Sequence, residues 1–209
     1  YACGGIAYAA LRIYSEGEST LTFENGFATM RDGDNVYLIS YSGSETNVTI
    51  PEGVTHIYTY AFGDGVEHVT FASTVKEIME SAFYESGVKT VTLNEGLEVI
   101  GDSAFYYADL EALTLPSTVK VIGEDAFYST ALEGVIAIPA SVETIGYRAF
   151  YDVDGTITFL VSAASAPEGW ESGWDKYDYY GNHMVLWGFT GEDITYTSVS
   201  YTHLTLPTN

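Results

Sequence analysis

The stretch "DSAFYYADLEALTLP", residues 102–116, decides the fold, because both of its halves recur along the chain. The Ala-Phe pair returns at Phe62, Phe83, Phe105, Phe127 and Phe150, in steps of 21, 22, 22 and 23 residues. Five residues before each Phe stands Ile57, Ile78, Ile100, Ile122 or Ile145, and three before that Val54, Val75, Leu97, Val119 or Val142. The second half keeps the same beat. It reads Val48-Thr49-Ile50, Val69-Thr70-Phe71, Val91-Thr92-Leu93, Leu113-Thr114-Leu115, Ile136-Ala137-Ile138 and Ile157-Thr158-Phe159, with Pro51, Pro116 and Pro139 closing three of them.

Each phrase has a physical reading. Apolar-Thr-apolar alternates faces as a short strand does, and Pro ends it because it has no N–H to give a ladder. The Val-x-x-Ile phrase brings the chain back along a second side. Ala-Phe-Tyr then turns it, which predicts one helical or 3₁₀ turn. A single rung cannot bury its own Phe and Ile, so successive rungs of about 22 residues must stack. Charges along the stack agree. Lys76, Glu98, Lys120 and Glu143 alternate in sign at one position, Glu67, Lys89, Glu111 and Glu133 occupy another, and Asp125 faces Arg148. Exposed pairs contribute only ~0–1 kcal/mol each; their use is to set register.

The rung resembles the BspA-type leucine-rich repeat, a family of bacterial surface proteins. Gly101, Gly123 and Gly146 match that family's Gly after Ile. The family's terminal Cys is replaced by Gly65, Ser86, Ala108, Thr130 and Val153, a slot that asks only for a small residue. The resemblance implies a right-handed leucine-rich-repeat solenoid of the α/β horseshoe class, rich in β structure, with stacked parallel strands and short turns.

Residues 1–20 read as a partial preceding repeat, and 21–46 as a β-hairpin insertion turning at Arg31-Asp32-Gly33-Asp34-Asn35. The five-rung solenoid occupies 47–160. Residues 161–190 are similar to the Trp-rich segment that closes such blocks, and a closing element is physically required to cover the last core. Residues 191–198 begin the next segment. Residues 199–209, "VSYTHLTLPTN", resemble a translated sequencing adapter and are set aside, so that the chain reads as a metagenomic fragment cut at both ends.

Composition bounds the function. The 209 residues carry 29 Asp and Glu against 7 Lys and Arg, a net charge of −22. Such a surface repels phosphate backbones and anionic lipid, which argues against nucleic acid and membrane surfaces as partners. No apolar run is long enough for a transmembrane helix. Cys3 is the only cysteine, so no internal disulfide framework exists. No nucleophile elbow, phosphate loop or zinc-protease motif occurs, and His56, His68 and His183 lack metal-ligand spacing. Asp32, Asp34 and Asn35 read as a turn rather than a calcium loop. No enzymatic activity, cofactor or metal is expected.

Candidate binding residues fall on two surfaces. The outward Thr row, with Thr70, Thr92 and Thr114 beside Glu67, His68, Lys89, Thr90 and Glu111, forms the strand face on which solenoids usually take partners. Its plain reading is a solvated β-face chosen for strand propensity. Trp170, Trp174 and Tyr179 are weaker candidates for stacking on a glycan, against the preferred reading that the Trp residues cover the last coil. The resemblance implies a non-enzymatic, secreted or cell-surface binding module. It would be a monomeric part of an adhesin that contacts host or neighbouring-cell proteins or glycans. A structural spacer array and an accessory domain of a larger extracellular enzyme are the alternatives.

Overall fold

The computed structural model describes residues 20–178 and 181–189. The expectations for 1–19 and 191–209, and for Tyr179, lie outside the described residues. An antiparallel meander comes first: β1 (Thr20–Glu24), β2 (Phe27–Asp32) and β3 (Asn35–Tyr41). Its second turn falls where the sequence places it, a two-residue loop of Gly33 and Asp34 between paired Asp32 and Asn35. Its first turn, Asn25-Gly26, has φ of 50° and 83°, the left-handed pair that a tight hairpin requires. β3 then changes partners, pairing in parallel with β5 (His56–Ile57) and so joining the meander to the stack.

Each coil now follows one path over three sides. The first side holds the outward Thr row: β4 (Asn47–Thr49), β6 (His68–Thr70) and β8 (Thr90–Thr92) form one parallel sheet. The second carries the Val-x-x-Ile phrase. Here β5 pairs with β7 (Glu77–Ile78), then β9 (Val99–Ile100), β10 (Val121–Ile122) and β12 (Thr144–Ile145), matching Ile57, Ile78, Ile100, Ile122 and Ile145 one above another. The third side is the Ala-Phe-Tyr turn.

That turn is not helical. Among the described residues no helix or 3₁₀ segment occurs, and the backbone shows why. The residue before Ala (Ser81, Ser103, Asp125, Arg148) and the second after Phe (Glu85, Tyr107, Ser129, Asp152) have φ between 49° and 57°. A left-handed residue costs roughly 1–2 kcal/mol and interrupts any helical run. These same residues donate N–H to the next coil: Ser81 to Asp102 O at 3.0 Å and Glu85 to Tyr106 O at 2.8 Å. Between them, Ala82 and Tyr84 donate within their own coil, to Met79 O and Ser81 O. Backbone donors thus serve the turn and the stack alternately.

The interior is a single column of aromatic rings. Phe62, Phe83, Phe105, Phe127 and Phe150 stack with centroids 4.8, 4.7, 5.3 and 5.0 Å apart and planes within 12°. All are buried, as are the Ile and Val positions around them. Gly101, Gly123 and Gly146 are required by close approach: a Cβ on Gly123 would lie 2.4 Å from Asp102 N, on the coil below. The small-residue slot is buried at Ser86, Ala108, Thr130 and Val153, but Gly65 is exposed.

The Thr side departs from the expected continuous row. β11 (Gly134–Ile138), β13 (Ile157–Val161) and β14 (Met184–Trp187) form a second three-stranded parallel sheet. Leu113-Thr114-Leu115 between the two sheets is not in a strand, and only Ala112 bridges back to Thr90. The coil from Leu113 to Ile136 is one residue longer than its predecessor and is taken up at Gly134, with φ 89°. In the second sheet Leu160 lies opposite Ala137 and Thr158 opposite Val135. Thr158 therefore sits two residues out of the row in which the sequence places it.

Candidate functional site

The strand face is built by the alternation of short strands. In β6, Val69 points inward and His68 and Thr70 outward; pairing with β8 puts Thr90 beside His68 and Thr92 beside Thr70. His68 Nδ1 and Thr90 Oγ1 are 2.7 Å apart. Lys89 Nζ donates to Glu67 Oε1 at 3.0 Å, and His68 Nε2 lies 4.0 Å from the other Glu67 oxygen. The bond to Glu67, with its charge, pushes the Lys89 amine up from its ordinary value. Glu67, His68, Lys89 and Thr90 thus form one connected polar patch, with exposed Thr70 and Thr92 alongside.

Thr114 and Glu111 stand at its edge. Both are exposed, but Thr114 is in no strand, and Glu111 adjoins the patch through its backbone N–H, bonded to Lys89 O at 2.9 Å, and through the pull of its charge on Lys89. Beyond Thr114 the face opens into a recess of about 530 Å³ lined by Leu113, Thr114, Leu115, Val135, Ala137 and Leu160, among others. The register then continues through Ala137, Leu160 and Leu186, of which Ala137 and Leu186 are exposed and Leu160 is buried. The face therefore runs from hydroxyls and ion pairs to hydrocarbon across the recess.

The Trp pair lies elsewhere and inside. Trp174 is 3% exposed and packs edge-on against Phe159 and Phe150, with centroids 4.9 and 6.2 Å away. Trp170 is 8% exposed, and its Nε1–H donates to Val142 O at 3.3 Å. Neither indole offers a free face to a sugar; both close the end of the Phe column. His183 joins this closure, its Nε2–H donating to Phe150 O at 3.0 Å. Burial holds its imidazole below the usual range, against the opposing pull of that bond and of Asp175. Trp187 alone of the three keeps substantial exposure, at 37%.

Sequence reasoning missed an aromatic surface on the third side. Tyr84, Tyr106, Tyr128 and Tyr151 stack face to face, with centroids 5.3, 4.6 and 5.2 Å apart. Their signal was the Tyr that follows Phe in four coils. Arg148 lies over this ladder and donates to Asp125 Oδ2 at 2.7 Å. Burial pushes the Asp125 carboxyl up despite that bond. Among the described residues no cluster of potential metal ligands occurs, and no helix is long and apolar enough to cross a membrane.

Comparison with known proteins agrees with this architecture. A leucine-rich repeat protein from Bacteroides ovatus ATCC 8483 is similar at 24% identity, over 74% of this chain and 41% of that one, with a TM-score of 0.53. One from Eubacterium ventriosum ATCC 27560 is 24% identical over 68% of this chain and 44% of its own, with a TM-score of 0.49. A leucine rich cell surface protein from Faecalibacterium prausnitzii A2-165 is 22% identical, over 69% of this chain and 55% of its own, with a TM-score of 0.43. The chain thus spans less than two thirds of each of these solved proteins. No curated protein matches the sequence. A family model described as the BspA type leucine rich repeat region matches residues 35–156 in 6 copies. The aromatic column, the Ile ladder and the close-packed glycines all fall within that span, and the chain belongs to the BspA-type leucine-rich repeat family.

Proposed function

We propose that this chain is a non-enzymatic binding module of a secreted or surface-attached bacterial protein, and that it takes an extracellular protein partner on its strand face. The observation that carries the reading is the face itself. A rigid core holds outward side chains at fixed spacing, and these pass from the Glu67–Lys89 and His68–Thr90 pairs to exposed Ala137 and Leu186, with Leu160 covered between them. A polar rim beside a desolvatable apolar patch is the composition of protein interfaces. Family membership supports the surface setting. Burial of Trp170 and Trp174 moves weight from a glycan at the C-terminal end toward a partner on this face.

The test is retention of mucin and extracellular-matrix proteins on immobilised chain, compared with Thr92→Lys and Ala137→Glu variants. Both positions are exposed, so the variants should keep the wild-type melting curve. Retention is expected to fall about tenfold or more, equivalent to ~1.4 kcal/mol. Equal retention by both variants would remove the strand face from consideration.

A further inference from the structure

The third side of the coil carries a charge and ring pattern that the strand face does not explain. The ladder of Tyr84, Tyr106, Tyr128 and Tyr151 runs along it. On one flank stands the column Tyr60, Ser81, Ser103, Asp125, Arg148; on the other, Glu85, Tyr107, Ser129, Asp152. Because the ladder rings stack on one another, both faces of Tyr106 and Tyr128 are occupied. Tyr107 is different. It is 49% exposed and stands at 78° and 64° to Tyr106 and Tyr128, with centroids 4.8 and 5.8 Å away. A ring so placed lies across the ladder and turns a face to solvent. Tyr60, 57% exposed, is set at 78° to Tyr84.

Acidic groups crowd the same side. Glu80, Glu85, Asp102, Glu124 and Asp152 are exposed, and Arg148 is the only cation in either column. Arg148 shows what the surface accepts. Its guanidinium carbon lies 5.6, 5.2 and 5.9 Å from the centroids of Tyr128, Tyr147 and Tyr151, while the group donates to Asp125 at 2.7 Å. This pairing of ring and carboxylate is the environment a planar cation prefers. Around Tyr107 the ingredients repeat in part: Glu85 stands one coil before it in its own column, Asp152, which accepts from Ser129 Oγ at 2.7 Å, stands two coils after it, and no cation of the chain stands in either column there.

We propose that the tyrosine side binds an arginine- or lysine-rich extended segment of a partner protein, which repeats around Tyr107 the contacts that Arg148 makes within the chain. Charge complementarity selects this occupant. The carboxylates repel anionic glycans and phosphates, and the inner ladder rings, Tyr106 and Tyr128, are stacked on both faces. The site does not rest on the strand face, so either reading can fail without the other.

A fluorescent oligoarginine peptide titrated into the full chain tests it, with oligoglutamate and a neutral cello-oligosaccharide as companion ligands. Tyr107→Ser removes the platform; the equivalent Ser129, with φ 49°, shows that the column accepts Ser. Glu85→Gln with Asp152→Asn removes two charges from its column. Asp32→Asn with Asp34→Asn removes two charges at the hairpin turn instead. Oligoarginine affinity is expected to drop about tenfold in each of the first two variants and less than about twofold in the third. Equal losses in the two charge-removing variants would reduce the effect to general attraction by the −22 surface and overturn the proposal. So would unchanged affinity in Tyr107→Ser, or cello-oligosaccharide binding that vanishes in that variant while oligoarginine binding persists.

Discussion

Phe105 lies fully buried between the rings of Phe83 and Phe127, at 4.7 and 5.3 Å. Packed coils on both sides cannot collapse into a void there. Phe105→Ala should therefore cost ~3–5 kcal/mol, the range for large cavities in well-packed cores. Chemical denaturation measures it, and a loss under about 1 kcal/mol would mean that the rings are not a shared column. This column was legible in the sequence because Ala-Phe repeats with an Ile five residues earlier. The turn backbone was not. Its left-handed positions hold Ser81, Ser103, Asp125, Arg148 and Tyr107 rather than Gly, so no residue type announced them. A second device was visible but unread: Glu52-Gly53 and Glu95-Gly96 alternate with Ser73-Thr74 and Ser117-Thr118. Glu95 accepts from Ser117, and Thr118 Oγ1 accepts from Gly96 N at 2.9 Å while donating to Leu97 O at 2.7 Å. Glu52, Gly53, Ser73 and Thr74 repeat the contacts two coils earlier.

Among elements, the strands of the Val-x-x-Ile side and the closing Trp segment follow from pattern and from the need to cover a core. β1 did not, although Asn25-Gly26 is the usual signature of a tight hairpin turn. The break at Leu113-Thr114-Leu115 was hidden because its sequence is the best copy of the strand phrase; what differs is the length of the coil that follows. The closing segment carries a pH dependence. His183 is buried under Phe150 O with its pKa lowered. Between that lowered value and the ordinary value near 6.5, the unfolded chain binds more protons than the folded one. Stability from this group is therefore present above pH ~6.5 and lost as pH falls through that window. The melting temperature of the wild type should drop more steeply between about pH 7.5 and pH 5.5 than that of His183→Gln. Parallel curves would show that His183 does not titrate with unfolding. His56, also lowered by burial although Glu77 opposes it, adds a similar slope to both proteins.

For the whole molecule, the opposing electrostatic effects are unequal. Lys89, Lys120 and Arg148 pair with Glu67, Glu98 and Asp125 on adjacent coils at 3.0, 2.7 and 2.7 Å. The exposed pairs, Lys89–Glu67 and Lys120–Glu98, give ~0–1 kcal/mol each, while the desolvation of half-buried Asp125 offsets part of what its pair with Arg148 contributes. Against them stands the mutual repulsion of a chain with net charge −22. Salt screens both, and the larger effect decides the sign. Raising sodium chloride from about 10 mM to about 200 mM should therefore raise the melting temperature; a fall would place the ion pairs above the repulsion. Backbone hydrogen bonds along the axis run in both directions. On the turn side each coil donates to the coil ahead, as Phe83 N does to Ala104 O, while on the Ile side it donates to the coil behind, as Gly101 N does to Ile78 O. The two directions oppose, so lengthening the array builds no macrodipole of the kind an α-helix accumulates. A cut between any two coils exposes a similar mixture of N–H and C=O groups at either joint. Coils gained or lost two at a time by gene duplication and deletion thus keep the alternating Glu-Gly and Ser-Thr joints matched, which leaves evolution free to set the reach of such a protein in steps of two coils.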